Sequence, residues 1–221
     1  MPRLKHPSNG NSFVPILIFL VSLAVLILVP SLYGLQYPKS VSSVFDDVVT
    51  YGKLSALVGF MSDLGITLWM TMAVLMAHAW HRRLQQKNKP LIAEEKWFYI
   101  SSIAVLLLLA LDDRLLIHEW LNEEKGVPKR LIMGAYGAVV VAWGLRFSKY
   151  LLGRSQAWLW AALFAFCVSE AVDLNYLSGL LNRFFSVVSQ DVIEEGTKWV
   201  GICALFLHIF TLTTDLSDKS P

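Results

Sequence analysis

The chain has 221 residues, 55% of them hydrophobic and only 16% charged, with a mean hydropathy of +0.53. Soluble globular chains carry about 25% charged residues, so this composition argues against a water-soluble domain and for a polytopic membrane protein. A net charge of +2, with no dense basic cluster interleaved with aromatics, argues against nucleic acid as a partner.

A helix needs about 20 mostly apolar residues to cross the hydrocarbon core. Six segments meet that length, and together they predict an all-α, polytopic membrane helix bundle forming one transmembrane domain over residues 1–221. The first, 12–34, is uncharged and is followed by no clear cleavage site, so it reads as a retained span. The second, 54–79, carries Asp63 in "MSDLGITLW". The third, 95–119, runs from an oily stretch straight into Asp112, Asp113 and Arg114, and then into His118 and Glu119. On a continuous helix Asp112 and Glu119 share one face, and Arg114 and His118 share another. The fourth, 131–152, holds no intramembrane acid, and its Gly134, Ala135, Gly137 and Ala138 suit close helix packing. The fifth, 157–181, places Glu170 and Asp173 three residues apart on one face with no local cation. The sixth, 188–213, has only 14 uninterrupted residues from Trp199 to Leu212, so Lys198 and Glu194 are drawn below the membrane surface. Glu194 precedes Lys198 by four, the favourable order for a helical ion pair.

Basic residues set the orientation. With the N-terminus inside, the inner side holds Arg3, Lys5, Arg82, Arg83, Lys87, Lys89, Lys96, Arg146, Lys149, Arg154 and Lys219, against Lys39, Lys53, Lys125, Lys129, Arg130 and Arg183 outside. Both termini are therefore expected to be cytoplasmic. Cys167 and Cys203 sit in apolar runs and imply no disulfide framework.

Charged groups within a span cost at least about 2.5 kcal/mol each, so they default to a functional explanation. Counting from each predicted outer end at 1.5 Å per residue, Asp63, Asp112, Glu170, Asp173, Glu194 and Lys198 all fall roughly 9–17 Å inside the outer boundary. Eight acids in this layer (Asp63, Asp112, Asp113, Glu119, Glu170, Asp173, Glu194, Glu195) face only Arg114 and Lys198. Such an excess requires protonation, wetting from outside, or a bound cation. Asp112, Asp113, His118, Glu119 and Asp173 are the expected ligands of a divalent metal, and an oxygen-rich set with one imidazole suits Mg, Ca or Mn more than a closed Zn site.

Two short patterns resemble those of glutamic-type intramembrane proteases of the PrsW and CAAX-processing kind. Glu194-Glu195-x-x-Lys198 is similar to their E-E-x-x-K motif and Phe166-x-x-x-Glu170 to their F-x-x-x-E motif. The resemblance covers about a dozen residues; the motifs run in the opposite order, and no H-x-x-x-[ND] element follows. It implies that Glu194 or Glu195 acts as general base with Glu170 and Lys198 beside it. The combination D-D-x-x-x-x-H-E with a late E-E-G-x-K also resembles uncharacterised multi-pass bacterial membrane proteins, which implies a bacterial cytoplasmic membrane.

Three functions fit these residues. One is a membrane-embedded hydrolase, carboxylate- or metal-dependent, acting on a lipid or peptide from the outer side. Another is a proton- or cation-coupled transporter or channel in which the acids form a relay; it lacks a polar path toward His208 at the inner end. The third is a non-catalytic subunit of a membrane complex whose polar layer holds its helices together.

Overall fold

The computed structural model describes residues 60–86, 92–153, 155–174, 176–177 and 190–218, and the expected first span at 12–34 lies outside them. Within the described residues the protein is all-helical: α1 (Phe60–Leu84), α2 (Ala93–Leu115), α3 (Ile117–Glu123), α4 (Lys129–Arg146), α5 (Ser148–Leu151), α6 (Gln156–Asp173) and α7 (Gln190–Asp218). Two stretches, Phe60–Leu84 and Val192–Asp215, are long and apolar enough to cross a membrane.

Contacts between side chains fix the directions of the helices. α1 and α2 are antiparallel, joined by Arg114 to Asp63 at one end and by the forked Arg83–Glu95 pair at the other. α2 and α4 are antiparallel as well, tied by Tyr136 to Asp112 and by Trp143 to Ser101. The Ser169 hydroxyl meets the Glu194 carbonyl while Ser155 meets His208, so α6 and α7 also run in opposite directions. α1 and α7 run parallel: the Trp199 indole donates to the Met61 carbonyl, and Gly65 faces Ile202 one turn further on. Adjacent predicted spans were expected to alternate in direction, and the described helices do.

The interior between the two ends is apolar. Trp69, Met72, Ala73 and Met76 of α1 pack with Leu106 and Ala110 of α2 and with Ile202 and Ile209 of α7. Toward the predicted inner end, Phe98 stacks on Tyr150 at 4.8 Å between ring centroids and lies against Trp143 and Phe147. Glu94, just before the predicted third span, sits below the usual carboxylate range because Lys149 and Arg146 donate hydrogen bonds to it.

The outside is apolar too. α4 buries only Ile132 and exposes Val139, Val141 and Leu145, the last 73% exposed, and α6 exposes Trp160 and Phe164, the latter at 72%. Polar groups such as Ser102, Asp112, Ser169 and His208 are instead buried. Exposed apolar surface of this extent marks a face that meets lipid or another protein.

Two expected continuous helices are broken. The predicted fourth span ends its helix at Arg146 and resumes as the short α5 after Phe147. The third stops at Leu116, which has a left-handed backbone (φ 49°), and restarts as α3. The expectation that Asp112 and Glu119 share one helical face, and Arg114 and His118 another, is thereby overturned. A leucine in this conformation costs about 1–2 kcal/mol, and the Asp112 contacts described below offset it.

Among the described glycines the tightest surroundings are at Gly201, where an added Cβ would lie 2.8 Å from the Phe166 ring. That ring cannot move aside freely, because it stacks on Trp69 at 6.0 Å between centroids. Gly201→Ala is expected to cost about 1–3 kcal/mol as overpacking. Gly137→Ala, where the Cβ would enter open space, should be neutral or stabilising by up to about 1 kcal/mol, because alanine is the better helix former. Thermal unfolding of both variants in detergent checks the contrast, and equal melting temperatures would contradict this packing.

Candidate functional site: a polar layer at one end of the bundle

The break at Leu116 turns the chain so that His118 returns toward Asp112. The His118 backbone N–H donates to Asp112 Oδ1 at 3.1 Å, so a carboxylate six residues upstream caps the second position of α3. His118 Nδ1 lies 2.8 Å from Asp112 Oδ2, and the Tyr136 hydroxyl donates to Asp112 Oδ1 at 2.9 Å. Asp112 is only 5% exposed, and three donors on two oxygens compensate its burial. An ionised carboxylate only accepts, so Nδ1 carries a proton, and in the neutral imidazole Nε2 then holds the lone pair.

The neighbouring acid faces another way. Asp113 Oδ1 pairs with Lys198 Nζ at 2.8 Å, and its Oδ2 accepts from the Trp69 indole at 2.8 Å. The expected helical pair between Glu194 and Lys198 therefore does not form. Lys198 is drawn across to α2, where Asp113 is already oriented by an indole N–H. Asp63 and Arg114 pair at 3.1 Å with both side chains more than half exposed. Asp173, expected to lack a cation, is met by Lys129 from the start of α4 at 2.6 Å.

The remaining acids are arranged differently. Glu119 is 46% exposed, with its Oε1 4.0 Å from His118 Nε2. Glu170 keeps one carboxylate oxygen buried and without a hydrogen-bond partner. The Glu194 carbonyl accepts from the Ser169 and Thr197 hydroxyls. Glu195 lines a cleft together with Asp113 and Lys198.

The expected metal ligands Asp112, Asp113, His118, Glu119 and Asp173 do not converge as a set. Among the described residues no three His, Cys, Asp or Glu side chains are grouped to hold an ion. Asp112 is saturated by three donors, while Asp113 and Asp173 each hold a lysine. A metal held by these residues would have to displace those bonds.

Tyr136, Trp69 and Lys129 are parts of this layer that the sequence reading did not assign to it. Tyrosine and tryptophan were counted as apolar within their spans, and Lys129 as a loop cation fixing topology. At the far end, Ser155 and His208 form a separate buried pair at 3.0 Å. Cys167 is exposed and Cys203 is buried, and the two are not bonded to each other.

Among the described residues, fold and layer together define the class: an all-helical arrangement with two helices long and apolar enough to cross a membrane and a cluster of ion-paired and hydrogen-bonded charged groups at one end of its bundle. The family described as a domain of unknown function (DUF8692) matches residues 16–212, and the chain belongs to that family. No curated protein and no solved structure matches the chain.

The part-buried Lys198–Asp113 pair and the exposed Arg114–Asp63 pair should differ in weight. Lys198→Met leaves Asp113 with one donor and is expected to lower stability by about 1–3 kcal/mol, the range for a lost hydrogen bond to a charged group. Arg114→Met breaks a largely solvated pair and should cost less than about 1 kcal/mol. Denaturation of the two variants in the same detergent measures the difference.

Proposed function

We propose that the chain is a multi-pass integral membrane protein of six spans, with both termini cytoplasmic and the polar layer in the outer half of the bilayer. There it hydrolyses an ester or amide bond of a membrane-resident lipid or peptide. The exposed apolar faces of α4 and α6 support the membrane placement. At 18 residues each, these helices are roughly 27 Å long, close to the thickness of a hydrocarbon core of about 30 Å.

The observation that carries the hydrolase reading is the Asp112–His118 dyad. Asp112 fixes both the ring orientation and the tautomer, which leaves Nε2 as the acceptor that a general base requires. In this reading Nε2 takes a proton from water as the water attacks the carbonyl, Asp112 stabilises the imidazolium, and the proton passes to the leaving group. The 4.0 Å between Nε2 and Glu119 Oε1 is too long for a direct hydrogen bond and short enough for a bridging water. The role of base thus moves from Glu194 or Glu195 to His118. Glu170, with its unpartnered buried oxygen, remains the acceptor available to a donor on the substrate. Lys198 contributes positive charge from its pair with Asp113.

A second reading is favoured by the Asp113–Lys198 and Asp173–Lys129 pairs: a layer that only clamps helices in a non-catalytic subunit. A transport relay has less support, because Met72, Leu106 and Leu207 fill the space between the layer and the Ser155–His208 pair with apolar side chains.

Purified protein assayed against a panel of phospholipids and membrane peptides tests the proposal. His118→Asn and Asp112→Asn should each lower turnover by about 10²–10⁴-fold, the usual contribution of a general base. Turnover unchanged in His118→Asn, or no turnover of any panel member by the wild type, would sink the hydrolase reading and leave the clamp.

A further inference from the structure

The base proposed above is hard to reach. The His118 side chain is only 12% exposed, so a membrane-resident substrate brings its carbonyl to Nε2 only if something moves. The element free to move is α3. None of its seven residues is buried, and both hydrogen bonds that fasten it to another helix end on Asp112. Among the described residues only Leu116 and Gly126 have a positive φ, at 49° and 67°, and they bracket α3. Gly126 takes that conformation without strain, whereas Leu116 is held in it against its preference.

A second conformation is open to this segment. If Leu116 turns right-handed, α2 runs on through α3 as one helix. The His118 backbone N–H then exchanges Asp112 Oδ1 for the Arg114 carbonyl four residues back. Relief of the left-handed leucine is set against loss of the imidazole–carboxylate bond. The connection to α4 permits the change. Tyr136 bonds to Asp112 from an antiparallel helix, so Lys129, at the start of α4, stands roughly level with residue 119 of the straightened helix. Glu123 would lie about 6 Å beyond Lys129 along the axis and about 10 Å across. The six-residue step between them spans up to about 20 Å. In the straight helix His118 is about 9 Å from Asp112 along the axis and on another face, so the dyad exists only in the bent state. We propose that α3 is a lid hinged at Leu116 and Gly126. It swings out as α2 straightens, admits the substrate, and on closing assembles the Asp112–His118 dyad beside it.

The lid's part in turnover rests on the hydrolase reading, whereas the hinge itself is read without any substrate. Full-length protein carrying Cys167→Ser and Cys203→Ala is spin-labelled at Lys96→Cys and Glu123→Cys, both exposed positions, and the label separation is measured in detergent by double electron–electron resonance. A straight helix sets these positions about 40 Å apart, and the bent one brings them closer. Leu116→Gly favours the bent state, because glycine accepts a left-handed backbone and weakens a continuous helix. Leu116→Ile, equal in volume but β-branched, disfavours the bent state. The straight-to-bent ratio should be at least about tenfold higher in Leu116→Ile than in Leu116→Gly, the scale of the left-handed penalty. His118→Leu, which removes the imidazole tether, should raise the ratio above that of the wild type. A single short separation in every variant, or a ratio equal in Leu116→Gly and Leu116→Ile, overturns the lid. If Leu116→Ile does not fold, a ratio unchanged in His118→Leu overturns it instead. Two separations that respond as expected in a protein without turnover refute hydrolysis and leave the hinge standing.

Discussion

The organisation of the polar end depends on one buried carboxylate. Asp112 accepts a backbone N–H, an imidazole N–H and a phenol O–H, all within 3.1 Å, from groups on two other helices, α3 and α4. An isolated buried carboxylate is not tolerated in a low-dielectric interior. Asp112 therefore dictates where its donors must go, and the chain bends at Leu116 to bring two of them. Remove that carboxylate and the left-handed leucine loses its compensation, His118 loses its orientation, and Tyr136 loses the bond that ties α4 to α2. A single anion thus couples backbone geometry to the chemistry of a side chain.

Asp113 extends the same logic to the other side of α2. Consecutive helical residues point about 100° apart, so the pair of acids reaches in two directions from one helix. Asp112 looks toward α3 and α4, while Asp113 looks toward α1 and α7 through Trp69 and Lys198. Arg114, the next residue, rotates outward to Asp63 near solvent. Three successive charged residues therefore serve three neighbouring surfaces, which explains how so polar a triplet is accommodated beside the run Leu106–Leu109.

Much of this was legible before any coordinates. Apolar length marked the helices, and the alternation of direction followed from successive crossings. Of the residues counted to a shared depth, Asp63 is linked by an ion pair to Arg114 and Lys198 to Asp113. What failed was anything that depended on a partner from another helix. Periodicity assumes an unbroken helix, so it could not show that Leu116 would turn left-handed, a conformation leucine avoids unless distant bonds enforce it. Pairing by i, i+4 proximity matched Lys198 to Glu194, yet a pre-oriented acid on α2 outcompeted the local one. Hydropathy treated Trp69 and Tyr136 as oil and so missed the two donors that aim the acids.

The charge balance of the layer also changes once the pairs are drawn. Lys129 joins Arg114 and Lys198, so three acids are neutralised by cations and Asp112 by its donors. Three further acids have distinct surroundings. Glu119 stands beside His118, Glu170 turns a bare oxygen inward, and Glu195 lines the α1–α7 cleft. A layer that only fastens helices gains nothing from a buried carboxylate oxygen without a hydrogen-bond partner, such as that of Glu170, because it adds a desolvation cost. An imidazole held in one orientation by Asp112, with the Glu119 carboxylate 4.0 Å from its other nitrogen, is likewise more than the fastening of helices calls for.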